Sequence, residues 1–187
     1  MTISVEKSID AHIEVITSIR PMTPAIEALG RTLTESIQKG HKVLFVGNGG
    51  SASDAQHLAA EIVGRFEKDR SGLAAIALTT DSSTLTSIAN DYGFDSVFSR
   101  QVEALAQKGD VLVAISTSGN SQNIVNAVEA ARAKGATTVG LLGKDGGRVK
   151  GLVDHALIVP SDNTARIQEA HILIGHILCQ LIEESLF

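Results

Sequence analysis

The chain has 187 residues, 43% of them hydrophobic and 20% charged, with a formal net charge of -5. That balance suits one globular domain with a real core and excludes a disordered chain. Aromatic residues make up 3%, Trp is absent and there is no basic footprint, so direct nucleic-acid binding is not expected.

The first residues, Met1 to Lys7, lack a basic segment followed by an apolar run, and no apolar stretch is long enough to span a bilayer. A cytoplasmic protein without membrane contact is expected. Cys179 is the one cysteine, which rules out an intramolecular disulfide and suits a reducing compartment; in its apolar helical setting it reads as a small buried hydrophobe.

Ile9, Ile13, Ile16 and Ile19 recur at helical spacing until Pro21 breaks the pattern, which predicts an amphipathic first helix. Thr23 is placed to cap a second helix with Pro24 at its first position, and Gly40 lies just past that helix's end. From Lys42 the pattern changes. Val43-Leu44-Phe45-Val46 is a short continuous apolar run, as a strand buried on both faces of a parallel sheet requires, and similar runs follow at residues 74–78, 111–115, 137–142 and 156–159. Helical stretches lie between them, as in Ile124, Val125, Val128 and Ala131, with Gly135 as a stop. The expected architecture is α/β: a three-layer sandwich on a parallel, doubly wound sheet, with residues 1–187 forming one domain and 1–40 a helical extension. The last helix, from about Arg166 to Glu184, is nearly apolar all round through Ile167, Leu173, Ile174, Ile177, Leu178, Leu181 and Ile182. Such a helix needs cover on several sides, which predicts a homo-oligomer.

Two strand ends carry unusual turns, Gly47-Asn48-Gly49-Gly50-Ser51 and Ser116-Thr117-Ser118-Gly119-Asn120-Ser121. Ligands of open α/β sheets collect at such ends, where small residues let backbone amides and a helix N-terminus approach an anion. Neither turn is a nucleotide motif, because no Lys follows Gly50 or Gly119 and the glycine spacing does not fit a dinucleotide fingerprint. What remains is a phosphate cradle built from the hydroxyls of Ser116, Thr117, Ser118 and Ser121. His57 and Glu61 stand one turn apart on the helix after the first loop, a spacing that serves metal ligation, acid–base chemistry or a solvated surface pair. Gln168, Ile172 and His176 lie on one ridge of the last helix, and His176 reads either as a functional imidazole or as a satisfied core histidine. His171 faces elsewhere and reads as structural. Arg166 and Glu169 form either a helix-start ion pair or ligand contacts.

Taken together these stretches, with Ala55-Gln56-His57-Leu58-Ala59-Ala60-Glu61, Ala89-Asn90-Asp91-Tyr92-Gly93-Phe94, Gly143-Lys144-Asp145-Gly146-Gly147 and Arg166-Ile167-Gln168-Glu169, resemble the sugar isomerase (SIS) domain family, and within it the phosphoheptose isomerases. The resemblance covers essentially the whole chain. It implies substrate contacts from Asn48, Gly49, Gly50, Ser51, Glu61, Asn90, Asp91, Ser116, Thr117, Ser118, Ser121 and Gln168, with the hydroxyl loop on the phosphate. It also implies one zinc ion per subunit held by His57, Glu61, Gln168 and His176, and a homotetramer with active sites between subunits.

The reaction so implied interconverts sedoheptulose 7-phosphate and D-glycero-D-manno-heptose 7-phosphate through an enediolate, the entry to nucleotide-activated heptose for bacterial lipopolysaccharide or surface glycans. Glu61 is expected to take the carbon proton and His176 to move protons on the oxygens. Some members carry Asp immediately before the arginine of the last helix; here Ala165 precedes Arg166, so that carboxylate is absent or supplied by Asp162. The alternative is a non-catalytic SIS protein that binds the replication initiator, which this chain resembles at Ala165 to Glu169 and at Leu186-Phe187. That relative carries non-ionisable residues at the positions of Glu61 and His176, and the presence of both here favours the isomerase.

Overall fold

A computed structural model describes residues 4–187. The first three residues of the expected helical extension lie outside the described residues. Two helices open the fold, α1 (Val5–Ser18) and α2 (Thr23–Gln38), joined by a single 3-10 turn over Arg20–Met22 that contains Pro21. Thr23 does not cap α2 as expected. The 3-10 turn runs directly into the helix, so Met22 is the cap residue and Thr23 is already helical, its hydroxyl donating back to the Arg20 carbonyl at 2.8 Å.

Five parallel strands follow: β1 (Val43–Gly47), β2 (Ala75–Ala77), β3 (Val111–Ser116), β4 (Thr137–Gly143) and β5 (His155–Val159), in the spatial order β2-β1-β3-β4-β5. Between them run α3 (Gly50–Val63), α4 (Ser82–Tyr92), α5 (Ser99–Leu105) and α6 (Gln122–Ala133), and α7 (Thr164–Leu186) closes the chain. This is the expected doubly wound arrangement. The continuous apolar runs have their explanation in the two cores, because side chains alternate across the sheet. Val43, Phe45, Val113, Ile115, Val139 and Leu141 pack against α2, α3 and α7 on one face. Leu44, Val46, Leu112, Ala114 and Leu142 face α5 and α6 on the other. Only the edge strand β2 falls short of its expected length, pairing with β1 through three residues, Val43 with Ala75 to Phe45 with Ala77.

The apolar last helix finds much of its cover within the chain. Ile167, Ile174, Leu178 and Ile182 are buried in the core shared with α2 and α3, while Leu173, Ile177 and Leu181 remain half-buried against it. A glycine sets how closely α7 approaches α3: a Cβ on Gly175 would come within 2.5 Å of the Leu58 side chain. Arg166 and Glu169 resolve as an ion pair at 2.6 Å that ties α7 to α1, with Glu169 also on His12 Nδ1 at 2.7 Å and Arg166 donating to the Ser8 carbonyl. The unpartnered apolar side chains lie elsewhere. Val5, Ile9 and Ile13 form one exposed ridge along α1, on which no residue is fully buried. No helix among the described residues is long and apolar enough to cross a membrane.

His171 is fully buried on α7, as its structural reading requires. Its Nε2 donates to the Leu142 carbonyl at 3.0 Å and its Nδ1 has no partner. Burial lowers its pKa from 6.5 to about 4, opposed only in part by that hydrogen bond. Below pH 6.5 the unfolded chain therefore takes up a proton that the native state refuses. Stability is expected to fall as pH drops from 6.5 to 4 and to lose nothing further from this group below that, on the order of 3 kcal/mol in all. Urea titrations across that range check this: His171→Gln should flatten this limb of the profile, and an unchanged slope would refute the assignment.

Candidate functional site

The two special turns stand side by side at the carboxyl ends of β1 and β3, which pair directly with Gly47 opposite Ile115. Between them is a pocket of about 60 Å³ lined by Asn48, Ser51, Ile115, Ser116, Thr117, Ser118 and Ser121, room for a group of phosphate size. Two helices begin at its rim. Ser4, Asp81 and Asn163 cap α1, α4 and α7 with their side chains, whereas Gly49 and Ser121 give α3 and α6 no side-chain cap. The positive ends of two helices of 14 and 12 residues are thus left open to an anion.

The hydroxyl loop is held by its neighbours before any ligand arrives. Ser116 Oγ accepts from Gly119 N at 3.1 Å and Ser118 Oγ from Asn120 N at 3.2 Å, which leaves both hydroxyl protons free to donate outward. The Gly143 to Gly147 turn buttresses it from behind, followed by a backbone bond from Val149 N to the Gly119 carbonyl and a bond from Arg148 N to the Asn120 side-chain Oδ1. Gly119 sits at φ +63°, and a Cβ there would come within 2.0 Å of the Gly146 carbonyl oxygen, so only glycine fits. The first loop is fixed by a residue outside both motifs. Asn48 and Asn123 exchange two amide hydrogen bonds, each 2.9 Å, and Asn123 is buried. The signal available in the sequence is a polar residue immediately before Ile124 and Val125, on a face that periodicity assigns to the core.

A second cluster lies further along α3. His57 Nε2 is 2.9 Å from His176 Nε2 and 3.2 Å from Glu61 Oε1, and the three groups offer ligand atoms all within 4.8 Å of one another. At that distance one Nε2 donates its hydrogen to the lone pair of the other, and with both rings neutral and their hydrogens on Nδ1 the two lone pairs would instead be available to one ion. Tetrahedral zinc with bonds of about 2.0–2.2 Å spaces its ligand atoms roughly 3.3–3.6 Å apart, so a small opening of the cluster accommodates the ion. The donor set, two imidazoles and a carboxylate, is one that zinc accepts. Phe66, absent from the sequence motifs, stacks on His176 with ring centroids 5.5 Å apart. Three residues before His57, Asp54 has one carboxylate oxygen buried without a partner, and burial raises its pKa against the opposing influence of His57.

The remaining expected residues are distributed as follows. Gln168 is packed against Gly50, where a Cβ would meet its amide nitrogen at 2.3 Å. That places it beside the start of α3, and about 12 Å along the α7 axis from His176 at 1.5 Å per residue. Asn90 and Asp91 are exposed on the last turn of α4, where the Asn90 amide donates to Asp91 at 2.8 Å, and neither lines the cradle. A much larger cavity, about 490 Å³, lies between β2, α4 and α5 and is mainly apolar. It holds neither the hydroxyl loop nor the histidine cluster, so size does not mark the chemistry here.

Residues 9–143 match the family model described as the SIS domain. The chain is 54% identical to a phosphoheptose isomerase of Citrifermentans bemidjiense, over 100% of this chain and 98% of that protein. Among solved structures, a phosphoheptose isomerase from Neisseria gonorrhoeae is 47% identical with a TM-score of 0.85, and one from Francisella tularensis is 42% identical with a TM-score of 0.89. Each match covers 96% of this chain and 94% of the other.

Removal of the Asn123 amide leaves Asn48 without its two bonds in a half-buried site. Asn123→Ala is expected to cost about 1–3 kcal/mol in urea melts and to weaken inorganic phosphate binding roughly tenfold by calorimetry. Phosphate affinity equal to that of the parent protein would show that the pair does not shape the cradle.

Proposed function

The chain belongs to the SIS domain family and, within it, to the phosphoheptose isomerases, and from that membership we propose that it converts sedoheptulose 7-phosphate to D-glycero-D-manno-heptose 7-phosphate, the first step toward nucleotide-activated heptose. The observation that carries this reading is that α3 begins at the hydroxyl cradle and carries His57 and Glu61 two to three turns further along, where His176 of α7 joins them. Ser51 and His57 are separated by about 9 Å of helix rise, a span that an open-chain sugar phosphate bridges with its phosphate in the cradle and its carbonyl end at the cluster. The full-length similarity to phosphoheptose isomerases, together with ionisable residues at positions 61 and 176, favours this reading over a non-catalytic partner of the replication initiator.

In the proposed site Ser116, Thr117, Ser118 and Ser121 donate to the phosphate oxygens, with the amides at the starts of α3 and α6 behind them. Gly49, Gly50, Ser51 and Asn48 line the sugar from the cradle side. The base is Glu61, which removes a proton from C1 of the ketose and returns it to C2. His176 transfers a proton between O1 and O2, so the enediolate forms and collapses without a net charge leaving the site. His57, Glu61 and His176 would hold zinc in this reading, with Gln168 as a further donor, and the ion would supply polarisation of the substrate oxygens; because a ligating atom cannot also take a proton, either one ligand leaves the ion when it acts or the zinc is partly structural. Because Gln168 stands apart from the cluster in one chain, and Asn90 and Asp91 from the cradle, all three are proposed to reach a neighbouring subunit's site in a homotetramer, Asn90 and Asp91 as substrate contacts and Gln168 as a contact to both substrate and ion. The exposed α1 ridge of Val5, Ile9 and Ile13 supports such assembly. We further take residues 1–187 as one SIS domain whose first 40 residues are the helical extension, and the cytoplasm as its compartment.

Mixing the purified protein with sedoheptulose 7-phosphate and following the aldose by NMR tests the proposal. Glu61→Gln and His176→Gln are expected to lower kcat by about 10²–10⁴ with KM within a few fold, since neither touches the cradle. No turnover by the parent protein would end the isomerase reading. Metal analysis after purification should find zinc, and chelation should abolish turnover until zinc is restored; neither bound zinc nor any response to added zinc would remove the metal from the proposal.

A further inference from the structure

The loop after α3 is anchored by a buried ion pair that no step above uses. Glu183, near the end of α7, is 1% exposed, and its carboxylate accepts from the backbone N–H groups of Phe66 and Glu67 at 2.8 Å, of Lys68 at 2.9 Å and from Arg70 Nε at 2.7 Å. The Arg70 side chain is equally hidden. Its other N–H groups donate to the carbonyls of Glu61 at 2.8 Å, Ile62 at 3.0 Å, Gly64 at 3.3 Å and Ser71 at 3.0 Å. Glu61 and Ile62 belong to the last turn of α3, whose carbonyls have no partner inside the helix, and a cation is the charge that this end of a helix favours.

Burying two charges costs several kcal/mol per ion before their attraction is counted. Here the two side chains also satisfy three backbone N–H groups and the carbonyls at the end of α3, so the pair fixes the shape of this segment, and its neighbours show what that shape serves. One of its arms fixes Phe66, whose ring lies 5.5 Å from the His176 ring at an interplanar angle of 32°. Another grips the backbone of Glu61 itself. The His57 ring flanks His176 as well, with centroids 5.0 Å apart. Burial would raise the Glu183 carboxyl, but its three backbone donors and Arg70 outweigh that and hold it at about 2, so the anchor stays charged.

We propose that Glu183 and Arg70 are positioning residues for the isomerisation, acting through the Phe66 ring on His176 and through the last turn of α3 on Glu61, without touching substrate. This rests on the isomerase reading above. A clamp of this kind matters because a displacement of about 1 Å in a proton-transfer group costs on the order of 100-fold in rate.

The test uses full-length Glu183→Gln, Phe66→Leu and Phe66→Tyr, each shown to be folded by circular dichroism and assayed well below its melting temperature. Glu183→Gln and Phe66→Leu are expected to lose about 10- to 100-fold in kcat with KM within about twofold, because the cradle lies at the opposite end of α3. Phe66→Tyr, which keeps the ring, should restore the parent kcat. A second readout needs no turnover: in histidine side-chain ¹H–¹⁵N spectra, the His176 ring signals, identified by their loss in His176→Gln, should shift in both Glu183→Gln and Phe66→Leu. If Glu183→Gln does not fold, Phe66→Leu decides alone. Folded variants with parental kcat and unmoved His176 signals overturn the proposal, as does a lowered melting temperature with unchanged kcat. A parent protein without activity overturns the isomerase reading instead, and the His176 signals then judge the positioning claim by themselves.

Discussion

The close, parallel packing of α3 against α7 is the constraint on which the rest of the site depends. Contacts advance together along both helices: Gly50 meets Gln168, the adjacent His57 and Leu58 meet the adjacent His176 and Gly175, and the segment just past α3 meets Glu183. Gly175 permits the approach, since any side chain there would push against Leu58. Two imidazoles far apart in the chain can share one point only if the helices carrying them neither slide nor separate. The ion pair beyond the end of α3 fixes the far end of this contact, and the ligand loops fix the near end.

The site has two stations with different physics. At the cradle the work is done by dipoles: two helix N-termini without side-chain caps, neutral hydroxyls, and an amide pair that holds one loop to the helix after the other. At the cluster it is done by titratable groups held at fixed separation. In the proposed reaction the first station binds and orients and the second handles protons, a division that lets remote binding energy position the reacting end.

Much of the fold was legible because strand and helix announce themselves by period. The five apolar runs became the five strands, and the hydroxyl turn landed where a parallel sheet gathers its ligands. What periodicity reports is which face is buried, not which distant residue it meets. The His57–Glu61 pair could therefore be read as metal site, acid–base pair or surface pair until α7 brought His176 beside it. The same limit hid Asn123, Phe66, Arg70 and Glu183, whose roles come from partners far away in sequence. Thr23 was misread for a local reason: a Ser or Thr before Pro looks like a cap whether or not a 3-10 turn already leads into the helix. The apolar surround of α7 was legible as a need for cover, but pattern alone does not say whether the same chain or another supplies it.

The residues that line the cradle include neither Lys nor Arg. The anion proposed to bind there would be met by fixed partial charges rather than by a lining cation, in a protein whose own net charge is -5. Partial charges at helix ends fall off within a turn and do not reach far into solvent. What such dipoles reward is direction: a ligand gains from them only once it is seated against the two helix ends, so the cradle would discriminate by fit rather than by charge alone.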